Sequence, residues 1–225
     1  MIPEGSLPEK AAENASLKKS SAEIEERIKE LLRLLEETRR ISPKNLAAQI
    51  QKMGFRCLRC GDCCTGYENS VVVFPFEIRR MLCITGADWQ DVAEPPAFGE
   101  WDKVGDFHTL EWRLKKESGS CKFYSSEGCR IYAARPLLCS TYPFYLDAGV
   151  LCRSECRGLG EEIDSIEAEE IAEKLIERSI TEISEAISLL KRYRDFERGQ
   201  PKKGGSCIVH DSEGEHRISS DSAES

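Results

Sequence analysis

Apolar positions recur with a helical period at both ends of the chain and with shorter, strand-like patterns between. Ile24, Ile28, Leu31, Leu32 and Leu35 step by three or four up to about Arg40, the signature of one apolar helix face. Ser20 and Glu23 have capping-box spacing at its start. Ser42-Pro43 opens a second helix, with serine as cap and proline in the first turn, and Gly54 stops it just before Cys57. After Gly160, Asp164 and Glu167 form another capping pair. Ile171, Leu175, Ile176, Ile180, Ile183, Ile187 and Leu190 then mark one long amphipathic helix to about Arg194. The first stripe is too short for a sustained heptad seam, so core packing is expected over a coiled-coil partner surface. The long helix is expected to pack on the N-terminal helix and the middle of the chain, with dimerisation as the alternative.

Between the helices, Val71–Phe74 reads as a short strand ended by Pro75. Phe76–Thr85 reads as a helix closed by Gly86, and Asp88 caps a further short one. Cys83, beside Met81 and Leu82, reads as buried packing. Leu110, Trp112 and Leu114 alternate with Glu111, Arg113 and Lys115, as in one half-buried strand, with His108 an ordinary residue at its start. Gly199–Gly205 breaks the pattern, and Cys207–His210 and His216–Ile218 flank a turn, as in a weak hairpin. The expected division is a disordered tail over 1–19, N-terminal helices over 20–53, a cysteine-rich unit over 54–160, the long helix over 161–198 and a flexible tail over 199–225. The fold class is α+β: a small metal-stapled domain of short strands and helices, flanked by amphipathic helices.

Charge and composition narrow the function. The net charge of −8 over 225 residues disfavours a broad nucleic-acid surface. No long apolar run points to a membrane span, and the first residues lack the apolar core of a secretory signal. Eleven cysteines without such a signal point to the reducing cytoplasm and to metal rather than disulfides.

Cys57, Cys60, Cys63 and Cys64 lie within eight residues, and Cys121, Cys129, Cys139, Cys152 and Cys156 follow. Cys-x2-Cys-x2-Cys bends the chain so that sulfurs converge, as in zinc knuckles and in three of four ligands of a bacterial-type iron–sulfur cluster. Adjacent side chains seldom reach the same small ion, so Cys63 and Cys64 are expected to face different sites, or one to stand outside. The turns Ser118-Gly119-Ser120 and Ser125–Gly128 present Cys121 and Cys129. One histidine among so many thiols, and Asp62 and Glu68 in or near the loop, read as ordinary residues. No phosphate loop and no serine–histidine arrangement is present, and no catalytic residue is assigned.

Cys57-x2-Cys60-Gly61-x-Cys63-Cys64, Cys121-x7-Cys129-Arg130-Ile131-Tyr132-x2-Arg135-Pro136-x2-Cys139-x2-Tyr142-Pro143-Phe144, and Cys156-x-Gly158-Leu159-Gly160 together resemble the YkgJ-type cysteine-cluster family, also described as a zinc- or iron-chelating domain. The resemblance covers roughly residues 50–160 and nominates Cys57, Cys60, Cys63, Cys64, Cys121, Cys129, Cys139 and Cys156 as metal ligands. Ser140 stands where members often have a basic residue, and Arg157 where they often have proline. Cys152 is extra to the pattern, and whether it or Cys156 closes the last coordination position stays open.

Bare thiolates repel one another, so the eight are expected to be largely protonated until metal draws them together. A structural zinc site contributes on the order of 10 kcal/mol to folding, comparable with a domain's whole net stability. Metal, rather than a modest apolar core, is therefore expected to hold Phe55–Gly160 together. Two assignments fit: two four-sulfur sites, or one iron–sulfur cluster, of the four-iron type, with the other thiols forming a second site or a resolving pair. Arg135, just ahead of the turn at Pro136, is expected against the cofactor, where a cation offsets its charge. Three functions follow: an iron–sulfur or zinc protein with a redox or oxidoreductase-component role, a non-enzymatic zinc module showing its helices to a protein partner, or, by resemblance to the flagellin lysine methylases, a modification enzyme.

Overall fold

The structure, a computed structural model, describes residues 21–66 and 69–218. The Ser20 cap, the tail over 1–19, Glu68 and the last residues of the chain lie outside the described residues.

Helix α1 spans Ser21–Arg39 and α2 spans Pro43–Met53. Ser42 Oγ accepts from the Asn45 amide, and the Gly54 amide closes the last turn on the Ile50 carbonyl. Strand β1 (Val72–Val73) runs directly into α3 (Pro75–Thr85), where Pro75 occupies the first turn. Its imino nitrogen needs no partner there, so the residue that ends the strand also starts the helix. Cys83 is exposed, not packed. The inward positions are Ile78 and Met81, and Cys83 lies about 200° round the helix from Met81.

Next come α4 (Trp89–Val92), β2 (Ala93–Glu94), β3 (Glu100–Trp101), β4 (Phe107–Leu110) and β5 (Trp112–Leu114). The single strand expected through 110–115 is two. Glu111 has φ +60°, and there the chain leaves a four-stranded sheet for a three-stranded one, β1-β5-β2. Arg113, expected on a polar face, is buried between Val72 and Glu94 in the register of that sheet. Two hairpins follow: β6 (Lys116–Glu117) with β7 (Ser120–Cys121), and β8 (Tyr124–Ser125) with β9 (Gly128–Cys129). A 3-10 turn at Tyr132–Ala134 leads to α5 (Leu137–Thr141), then the hairpin β10 (Phe144–Asp147) and β11 (Val150–Arg153).

Helix α6 spans Ser165–Arg192, with Asp164 accepting from the Glu167 amide. Strands β12 (Cys207–His210) and β13 (Glu215–Ile218) pair with each other, and β12 also pairs in parallel with β4, giving the order β13-β12-β4-β3. Residues 207–218, expected within a flexible tail, are thus part of a sheet. The reason is apolar: Ile208 and Val209 are buried under it.

The apolar interior has three parts. Leu31, Leu35, Ile183 and Ile187 join α1 to α6. Leu46, Ile50, Phe55, Phe144 and Leu175 join α2, α6 and β10, so the long helix buries its apolar face within the chain. A third group, including Val73, Ile78, Met81, Trp112, Phe123, Ile131 and Leu138, lies beneath the cysteine hairpins. The middle of the chain therefore has a substantial apolar core of its own, where only a modest one was expected. Among the described residues, no helix is long and apolar enough to cross a membrane.

Candidate metal centre

The Cys57–Cys64 loop is fastened at both ends. At its start an isolated antiparallel bridge joins Phe55 to Leu159. The Arg56 amide donates to the Gly158 carbonyl at 2.9 Å and the Gly160 amide to the Gly54 carbonyl at 3.0 Å. This brings the chain around Cys156 beside Cys57. The approach needs glycine: a Cβ on Gly158 would sit 2.0 Å from the Arg56 carbonyl oxygen. At its other end a bridge joins Thr65 to Ser120, beside Cys64 and Cys121. Asn69 Nδ2 reinforces it by donating to the Asp62 carbonyl at 2.9 Å, and Lys116 Nζ donates to the Gly66 carbonyl at 3.0 Å. Between the bridges, Gly61 turns the chain with φ +83° into a 3-10 turn over Asp62–Cys64. A Cβ at Gly61 would overlap the Tyr124 hydroxyl.

Cys121 and Cys129 end the inner strands of the two small hairpins, and Cys139 lies on α5; all three pack partly against the apolar core. The first hairpin turns through Ser118 and Gly119, both with positive φ, as a tight two-residue turn requires. Cys57 and Cys60 are exposed, while Cys63, Cys64, Cys121, Cys129, Cys139 and Cys156 are half-buried.

All eight nominated thiols line one cavity of about 780 Å³. Cys83, Cys152 and Cys207 do not line it. Cys152 instead lies opposite Tyr145 in the β10–β11 hairpin, which leaves Cys156 as the thiol presented to the cavity. Asp62 and Glu155 reach the rim, and Arg157 pairs with Asp62 at 2.8 Å.

The cavity's electrostatics set the thiols apart. Cys63 and Cys64 have sulfurs 3.9 Å apart. The hydrogen bond shared with Cys64 holds Cys63 down to about 7, against burial, with help from the Arg135 charge. Cys64 is pushed far up by that bond, by burial, and by charge on Cys63, Cys139 and Cys121. Burial pushes Cys139 up, followed by charge on Cys121 and Cys63. Cys121 rises through burial and through Cys129. Cys156 rises through burial, with Cys60, Cys63 and Cys57 as the charges acting on it. The thiols thus feel one another in two sets that meet at Cys63.

As they stand, no three His, Cys, Asp or Glu side chains among the described residues are close enough to hold one ion. The chemistry of the donor set nevertheless fits metal. Closely spaced sulfurs, several held protonated by burial and mutual repulsion, are stabilised when an ion takes the place of their protons. An all-sulfur set suits zinc or an iron–sulfur cluster rather than magnesium or calcium. Arg135, half-buried, lies 3.9 Å over the Tyr132 ring, and Arg59 lies over the same ring at 4.6 Å. Tyr142 is pushed up to about 12 by burial and by nearby thiol charge, and its hydroxyl donates to the Glu155 carbonyl. It walls the cavity as a neutral phenol.

Sequence reasoning missed two groups. Glu77, on α3, is fully buried and accepts from the Phe74 and Leu137 amides; its Leu137 partner is 60 residues away and leaves no local mark. The chain's three histidines avoid the thiols, and none lines the cavity. His108 was read as an ordinary strand residue. It instead hydrogen-bonds His210 at 2.8 Å within the four-stranded sheet, with Asp102 at 3.3 Å on its other ring nitrogen.

Residues 56–157 match the model of the family CxxCxxCC, described as "Putative zinc- or iron-chelating domain". No curated protein and no solved structure gives a significant match to the chain. The matched residues contain all eight thiols of the cavity and the Thr65–Ser120 bridge, while the Phe55–Leu159 bridge lies just outside their two ends. The cysteine-bearing segment of this chain is thus similar to the CxxCxxCC family, whose description is of zinc or iron chelation.

Proposed function

We propose that the eight thiols act as two four-sulfur groups, Cys57, Cys60, Cys63 and Cys156 in one, Cys64, Cys121, Cys129 and Cys139 in the other, and that this is an iron–sulfur protein with an electron-transfer or oxidoreductase-component role. The observation that carries the division is the pair of bridges: Phe55–Leu159 sets Cys156 by the start of the loop, and Thr65–Ser120 sets Cys121 by its end. The charges acting on Cys156 come from Cys60, Cys63 and Cys57 of its own group, and those on Cys64 from its neighbour Cys63 and from Cys139 and Cys121 of its own group. Cys63 and Cys64 then face different groups, which relieves the strain of two neighbouring residues sharing one ion.

The first group combines Cys-x2-Cys-x2-Cys with one remote cysteine, the ligand pattern of a four-iron cluster. Such a cluster supplies one-electron chemistry when bound. The protein's own residues hold the thiols, place the Arg135 guanidinium where its charge offsets theirs, and screen the cavity with Tyr124, Tyr132 and Tyr142. All eleven cysteines are free, which supports a reducing compartment such as the cytoplasm.

Elemental analysis of protein purified without air tests this. Brown protein with about four iron and four acid-labile sulfide per chain is expected. Cys60→Ser should lose that iron, and Cys129→Ser should leave it in place while losing the second group's metal. Colourless protein with stoichiometric zinc and no redox couple would instead make it a structural zinc module.

A further inference from the structure

We infer that Glu77 and Arg80, neighbours on one face of α3, are positioning residues for the metal centre: they grip the 134–137 turn from both sides and so fix where Cys139 stands. This rests on the proposed two-group reading, since Cys139 matters only if it is a ligand. Helix α3 contributes no thiol to the cavity. Glu77 is 1 % exposed, although a buried carboxylate is costly unless fully bonded. One of its oxygens accepts from the Phe74 amide at 3.1 Å, closing the start of its own helix. The other accepts from the Leu137 amide at 2.7 Å, two residues before Cys139.

One turn further along, the Arg80 guanidinium donates to the Ala134 carbonyl at 3.3 Å and the Arg135 carbonyl at 2.9 Å. The turn is thus held at an amide by an acid and at two carbonyls by a base. Pro136 lies between those carbonyls and that amide. The same turn carries Arg135, whose charge acts on Cys63. Carboxyl and guanidinium are both required: glutamine at 77 offers one acceptor atom where two amides need one each, and its NH2 opposes the second amide.

Zinc binding to the full-length, fully reduced protein, followed by chelator competition, tests the inference. The binding step that Cys129→Ser removes identifies the group containing Cys139. Glu77→Gln should weaken that step about tenfold to a hundredfold, the usual effect of removing a partner that orients metal ligands. Arg80→Gln, an exposed position where folding is not at risk, should weaken it in the same direction by a smaller factor. Leu35→Ala, in the α1–α6 interface, is the control for stability loss alone and should leave the step unchanged. Wild-type affinity in both Glu77→Gln and Arg80→Gln, or a loss no larger than that of Leu35→Ala, overturns the inference.

Uptake of no zinc or iron by the wild-type chain would instead sink the two-group reading. The grip itself is then judged from the rate at which Cys139 is alkylated. Glu77→Gln or Arg80→Gln should raise that rate severalfold over wild type without changing that of Cys207, and an unchanged rate refutes the grip.

Discussion

The two sources of thiols differ in what supports them. Cys121, Cys129 and Cys139 stand on hairpins and a short helix seated on a buried apolar group that includes Trp112, Phe123 and Leu138. The Cys57–Cys64 loop has exposed thiols at Cys57 and Cys60 and an exposed Leu58. Strand-type bridges hold its two ends, and between them lie side-chain contacts such as Tyr124 to the Cys60 carbonyl and Arg157 to Asp62. Apolar burial places one set before any ion arrives. The other set is brought to the cavity mouth by a tethered loop, whose final closure falls to the metal. An account in which metal alone holds the whole middle of the chain does not survive that contrast.

The most forceful way to break the comparison is to strip the metal. A thiolate metal site contributes on the order of 10 kcal/mol, and the contrast assigns that loss to the loop. Chelator-treated, reduced protein should be cut by trypsin at Arg56 and Arg59 at least about a hundredfold faster than loaded protein, while residues 71–218 stay folded by circular dichroism. Collapse of the whole segment would erase the distinction. Next in size is the apolar support. Trp112→Ala removes a ring that is 2 % exposed and bonded to Asp211 at 2.9 Å, and should cost about 3–5 kcal/mol in urea unfolding of the stripped protein.

The third effect is a pH dependence arising away from the cavity. Burial, with the charge of His108, lowers His210 to about 4 from its ordinary 6.5. The unfolded chain takes up that proton below about pH 6.5, and the folded chain only below about 4. Stability contributed by neutral His210 is therefore complete above pH 6.5 and is lost as pH falls through this window, on the order of 3 kcal/mol in all. His210→Gln should flatten that part of the stability profile of stripped protein; an unchanged slope would assign it to carboxylates. The smallest effect belongs to the loop side. Asp164→Ala removes the cap of α6 just beyond the Phe55–Leu159 bridge and should cost about 1 kcal/mol. It should speed cleavage at Arg56 more than Trp112→Ala does per unit of stability lost.

The sequence revealed the helices because their ends carry their own chemistry: Ser42 and Asp164 cap, Pro43 starts, Gly54 and Gly86 stop. The turns at Ser118-Gly119-Ser120 and Ser125–Gly128 were visible for the same local reason, as were the thiols they present, though not the small hairpins that the turns close. What stayed hidden depends on distant partners. A period-two pattern through Leu110–Leu114 looks the same whether the chain continues one strand or turns at Glu111 from one sheet into another. His108 meets His210 across 102 residues through a parallel pairing, and Glu77 meets Leu137 across 60; neither leaves a local mark. Cys83 was misjudged because apolar neighbours in sequence are not neighbours around a helix.

The order of the four-stranded sheet has a bearing on synthesis. Strand β12 is translated after every cavity thiol, yet it lies between β4 and β13. A growing polypeptide displays every cavity thiol while one edge of β4 is still bare, and bare edges invite pairing with other chains. Early capture of an ion by the emerging cysteines would steady the middle of the molecule during that interval, and a product cut short before Cys207 would keep the open edge permanently.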